Sequence, residues 1–175
     1  MKRLHVALLS LLFAFPALAQ APAPAEQPPA YPAPLITGAE ARAIIDGAIA
    51  FAAEGKMIMA VVVVDTNGNV VASQRMDGAA QQNIRAAEGK AYASALYRTT
   101  TQALSETAKT RPDRYFGIIN LFPGKVYLVG GGVPLALDGK LVGAVGVAGL
   151  PEGVDEKAGR AGIAAWMKMR EGMRK

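Results

Sequence analysis

Residues 129–149, VGGGVPLALDGKLVGAVGVAG, decide how the rest of the chain is arranged. Three consecutive glycines, Gly130, Gly131 and Gly132, lead into Val133-Pro134 and the short apolar run Leu135-Ala136-Leu137. Asp138-Gly139 then predicts a tight hairpin, because both central positions of a type I′ turn need positive φ and Asp-Gly tolerates it. The return strand carries Gly143, Gly146 and Gly149 at every third position. Glycine weakens a strand unless something must approach the backbone closely, so a helix, a neighbouring chain or a ligand is expected to pack hard against this hairpin. The pattern is GxxGxxG within a strand, not GxGxxG opening a helix, and a dinucleotide-binding turn is excluded on that context.

Upstream, residues 58–65 are almost wholly apolar and β-branched, as a central strand covered on both faces requires. Asn67-Gly68 turns the chain and residues 69–76 return as its partner. A helix is predicted ahead of this pair, opened by the capping box Thr37-Gly38-Ala39-Glu40 and closed by Gly55. Ala41, Ile44, Ile45, Ala48 and Ala52 recur on it at helical spacing. After the pair, residues 81–104 predict one long helix, with Ile84, Ala87, Ala91 and Ala95 along a single stripe. Residues 111–124, RPDRYFGIINLFPG, are irregular by pattern, and residues 125–130 predict a third strand. A last helix over 155–169 has Asp155 and Glu156 in its first turn and basic residues towards its end, both favourable to the helix dipole. The predicted order is α-β-β-α-β-β-β-α, an α+β domain whose antiparallel sheet is flanked by helices.

The N-terminus reads as an export signal. Lys2-Arg3 is its basic start, residues 4–15 its apolar middle and Ala17-Leu18-Ala19 its cleavage site. The expectation is cleavage after Ala19 and a periplasmic or secreted product without a membrane span, since a span needs about 20 apolar residues. Residues 20–34 hold six prolines in fifteen positions, and a spacer is expected over 20–36, with one domain over 37–175.

Cleavage restricts the chemistry. The single histidine, His5, leaves with the signal, and the chain has no cysteine. Thiolate nucleophiles, Ser-His-Asp triads, iron–sulfur sites and ordinary zinc sites are thereby excluded. Loss of Lys2 and Arg3 leaves 17 basic against 14 acidic side chains, a net charge of +3, which gives nucleic-acid binding little support.

Candidate binding residues remain. Arg75, before Met76-Asp77-Gly78, is either a solvated strand-end charge or a cation at a pocket mouth able to grip a carboxylate. Lys90, mid-helix among alanines, is either a snorkelling side chain or a buried base or anion anchor. Tyr127 alternates with Val126 and Leu128, so its ring lies on the opposite face from theirs. The carboxylates Asp65, Asp77, Asp138 and Asp155 are acid–base candidates, though each falls at a turn or a helix start.

The hairpin resembles the glycine-rich signature of the haem-degrading, HbpS-like and GlcG-like family, which includes the C-terminal domain of PduO-type proteins. Residues 61–71, VVVVDTNGNVV, with Arg75-Met76-Asp77-Gly78, resemble that family's other signature, and residues 87–93 around Lys90 the helix that follows it. The resemblance spans about residues 39–165 and implies a profilin-like sheet of five strands, a homo-oligomer, and a small-molecule ligand, haem first. Arg75, Met76, Lys90, Tyr127, Gly131, Gly132 and Pro134 are then the expected contacts. Without imidazole or thiolate, Tyr127 or Met76 is the expected iron ligand. An enzyme acting on haem or a small carbonyl or carboxylate compound, and a ligand-free assembly module, are the alternatives.

Overall fold

The computed structural model describes residues 35–151 and 153–174; the export segment and most of the proline-rich spacer lie outside them. The element order is α1 (Gly38–Glu54), β1 (Ala60–Val64), β2 (Val70–Arg75), α2 (Gln81–Tyr97), α3 (Thr101–Thr110), α4 (Pro112–Leu121), β3 (Gly132–Leu137), β4 (Lys140–Ala148) and α5 (Val154–Met173).

Helix α1 starts as its sequence dictates. The Thr37 hydroxyl accepts from the Glu40 N–H at 3.2 Å, and Glu40 Oε2 accepts from the Thr37 N–H at 2.9 Å. Ala41, Ile44, Ile45, Ala48 and Ala52 form its buried stripe. The core begins one residue before that cap. Ile36, expected in the spacer, is buried, and its N–H donates to the Val142 carbonyl at 3.2 Å.

Two antiparallel hairpins make the sheet, in the order β2-β1-β4-β3. Asp138 and Gly139 have φ of 50° and 75°, the paired positive values that the turn requires. At the other hairpin Asp65 Oδ1 accepts from the Asn67 and Asn69 N–H groups, and Gly68 takes φ 82°. Strand β1 is buried along its whole length because its alternate side chains feed two cores. Val61 and Val63 join Ile44, Ile45 and Trp166 beneath α1 and α5, while Ala60, Val62 and Val64 meet Ala87, Ala91 and Ala95 of α2.

The sheet among the described residues has four strands, not five. Residues 125–130 form no strand and meet a helix instead: Lys125 closes a turn, and the Tyr127 N–H donates to the Gly89 carbonyl of α2 at 3.2 Å. Val126 and Leu128 turn inward there, into a third cluster with Ala93, Leu104 and Ile118. The long helix expected over 81–104 is two helices. Arg98 adopts a left-handed conformation with φ 55°, and Thr100 then caps α3 by accepting from the Ala103 N–H. The stretch expected to be irregular, 111–124, contains α4, whose Pro112 sits in the first turn, where its missing N–H costs nothing.

The glycine repeat has more than one neighbour: a Cβ on Gly143 would meet the Val64 carbonyl oxygen of β1 at 2.3 Å, whereas Gly146 faces α2. A Cβ on Gly146 would lie 2.0 Å from the Ala87 carbonyl oxygen and 2.6 Å from the Ala91 nitrogen. The close partners of these two glycines therefore belong to the same chain. Strand β4 is an inner strand of the sheet and is buried from Val142 to Ala148.

Candidate functional site

The triple glycine, Gly130-Gly131-Gly132, lies where α2, α3 and the start of α5 converge. A Cβ on Gly132 would meet the Lys90 carbonyl oxygen at 2.4 Å; one on Gly131 would meet Asp155 Cβ at 2.8 Å and Lys90 Nζ at 3.0 Å. Thr101, fully buried, ties this run down: its hydroxyl donates to the Val129 carbonyl at 2.7 Å and accepts from the Gly132 N–H at 2.8 Å. Gly131 and Gly132, expected to face a ligand, are packed against the protein's own helices. Pro134 is half-buried on the edge strand β3, where a missing donor is tolerated.

Lys90 is only 2% exposed. Its ammonium donates to Asp155 Oδ2 at 2.6 Å and to the Val147 carbonyl at 2.9 Å, while Asp155 Oδ1 accepts from the Leu150 N–H at 2.9 Å. Two of its three donors are spent inside the fold, and the charge it faces is already a carboxylate. The expectation that Lys90 pairs with an external carboxylate is corrected: it ties α2 to α5.

Arg75 is exposed at the end of β2, and its guanidinium donates to the Ala79 carbonyl. Met76 packs with the core beneath α1 and α5. Tyr127 lies across the sheet from it, against Gly89 of α2, with its ring centroid 5.9 Å from Lys90 Nζ. The two candidate iron ligands are thus on opposite layers of the molecule. Tyr127 is the accessible one, 46% exposed, as is Val129, while Leu128 between them is 2% exposed.

This outward-facing segment has a concavity at each end. One, of about 360 Å³, is lined by the hairpin tip at Gly68, by Arg85, Glu88, Gly89 and Tyr92 of α2, and by Lys125. The other, of about 550 Å³, lies between α3, Leu128, Val129 and the loop entering α5. Asp65, Asp138 and Asp155 are occupied by a loop, a turn and an ion pair respectively. Among the described residues no cluster of three or more metal-ligating side chains occurs, and no helix is long and apolar enough to cross a membrane.

The sequence reading missed Thr101, Arg85 and Lys125. Thr100 before an amphipathic turn was a readable N-cap signal, and it would have placed Thr101 at the start of a helix. Arg85 and Lys125 carry no local motif, and only the fold brings them to one hollow.

Comparison with known proteins follows the same outline. The family model described as "Haem degrading protein HbpS-like" matches residues 36–164. A double mutant of Streptomyces reticuli HbpS superposes with a TM-score of 0.69 at 31% identity, covering 83% of this chain and 97% of that one. The PduOC:heme complex gives a TM-score of 0.69 at 26% identity, covering 75% and 94%. ORFY of Klebsiella pneumoniae, at 22% identity and a TM-score of 0.72, covers 81% and 97% and shares the fold. A 15.0 kDa protein from the dhaT-dhaS intergenic region of Citrobacter freundii is 32% identical over 114 residues, 65% of this chain and 80% of that protein.

Proposed function

Because the chain belongs to the haem-degrading HbpS-like family, we propose that it is an exported small-molecule-binding protein whose ligand is haem. The likeness to the solved PduOC haem complex carries this reading. The exposed segment around Tyr127 and Val129, with a hollow at either end, supplies an apolar seat beside polar groups, the usual composition of a cofactor site. When bound, haem supplies a redox-active iron, and a tyrosine is among the side chains that ligate it. In this seat the accessible Tyr127 phenol takes that role. Met76, turned into the opposite core, does not.

Binding is favoured over catalysis because Asp65 and Asp155 already accept hydrogen bonds from their own surroundings. Self-association belongs to the same proposal. Phe116 and Leu121 of α4, 59% and 69% exposed, add apolar surface near Tyr127 in sequence. Light scattering at high micromolar concentration reads a dimer or larger; a monomer there removes that part.

Haemin titrated into the processed protein tests the reading. A saturable Soret shift whose charge-transfer bands change in Tyr127→Phe and not in Met76→Leu is expected. Absence of saturation overturns the ligand; a spectrum indifferent to Tyr127→Phe overturns the iron ligand.

A further inference from the structure

Lys125, closing the turn after α4, Tyr127 and Val129 are all exposed, whereas Leu128 is buried and Val126 partly so. A cation, an aromatic ring and an aliphatic side chain thus follow one another along a single face. The exposed face therefore runs from charged to apolar within five residues. That gradient suits a flat amphiphile with its acid groups at one edge.

The charged end opens on the hollow of about 360 Å³ between α2 and the β1–β2 hairpin tip. Two cations reach it from separate elements. Lys125 has no carboxylate partner among the described residues, and its ammonium stands 6.0 Å over the Tyr92 ring. Among the described residues the carboxylate that Arg85 meets is Glu88, at 3.9 Å, with the two side chains 77% and 43% exposed. So open a pair holds the guanidinium weakly, leaving its planar fork free for a better-placed carboxylate. The walls are set by the fold: a Cβ on Gly68 would strike the Tyr92 ring at 2.4 Å, and Gly89, which lines the hollow, also accepts the Tyr127 N–H.

Resting on the haem-binding reading, we propose that this hollow is the subsite for the ligand's carboxylates, gripped by Arg85 and Lys125. These two take the role that Lys90, spent on Asp155, does not play.

Iron-free protoporphyrin IX, followed by its own fluorescence, probes the subsite without any axial ligand. The processed protein is expected to bind the free acid tenfold or more tightly than the dimethyl ester. Arg85→Ala combined with Lys125→Ala is expected to remove that preference while leaving ester binding and the far-ultraviolet circular dichroism unchanged. Glu88→Gln, which deletes the competing carboxylate, is expected to tighten binding of the free acid severalfold. Equal affinity for acid and ester, or a double variant that keeps the preference, overturns the subsite while haem binding stands. If neither haemin nor protoporphyrin saturates the protein, the haem reading falls and the subsite with it.

Discussion

Lys90 Nζ lies 2.6 Å from Asp155 Oδ2, joining residues 65 positions apart in sequence. Both side chains are almost wholly removed from water, at 3% and 11% exposure, and the ammonium also binds the Val147 carbonyl of β4. The pair sits behind Gly131, whose missing side chain is what lets α5 and α2 reach each other past the sheet. Lys90 therefore connects α2, α5 and β4.

Lys90→Met is expected to cost about 3–5 kcal/mol, because it strands the Asp155 carboxylate in the interior. Adding Asp155→Leu should recover part of that loss, though not the Leu150 N–H bond that Asp155 also accepts. Urea unfolding of the wild type, the single variant and the double variant measures both. A single variant within experimental error of wild type contradicts the structural role.

Gly146→Ala is expected to destabilise by about 1–3 kcal/mol or more, in the range of overpacked cores, since the new methyl meets helix backbone that cannot rotate aside. Gly172→Ala, near the end of α5, meets nothing within 4 Å and should be neutral or stabilising by as much as about 0.5 kcal/mol. The thermal midpoint should therefore fall in Gly146→Ala and stay level or rise in Gly172→Ala.

Acid sensitivity is expected from Glu40. Burial pushes its pKa up, but the Thr37 N–H and hydroxyl, the Trp166 indole and the Arg170 guanidinium outweigh it, leaving the carboxyl below its ordinary 4.5. The Trp166 indole N–H itself is buried without a hydrogen-bond partner. A carboxyl lowered on folding contributes stability that is fully present above 4.5 and lost as pH falls through the folded value. Denaturant midpoints between neutrality and about pH 3 should fall less steeply in Glu40→Gln than in wild type. Identical slopes would count against the assignment.

Processing is expected to leave Gln20 as the N-terminus. The mass of protein recovered from the periplasm or medium checks this, and material that retains Met1 contradicts it.

What the sequence determined by itself was short-range. The capping box at Thr37 and Glu40, the α1 stripe, the Asp138-Gly139 turn and a strand covered on both faces each follow from neighbours within a few positions. Pro112 fits a helix start, but proline also punctuates loops, so residues 111–124 read as irregular although they contain α4. Tertiary structure decided what an extended segment pairs with and where a charge finds its partner. Residues 125–130 have strand-like alternation, but the hydrogen bond at Tyr127 goes to a helix carbonyl that becomes available only because Gly89 has no side chain to hold the segment off. From the sequence Lys90 reads as either a snorkelling side chain or a buried base or anion anchor. Folding delivered Asp155 to it from the far end of the chain, because an unpaired ammonium in that interior costs more than the fold can spare.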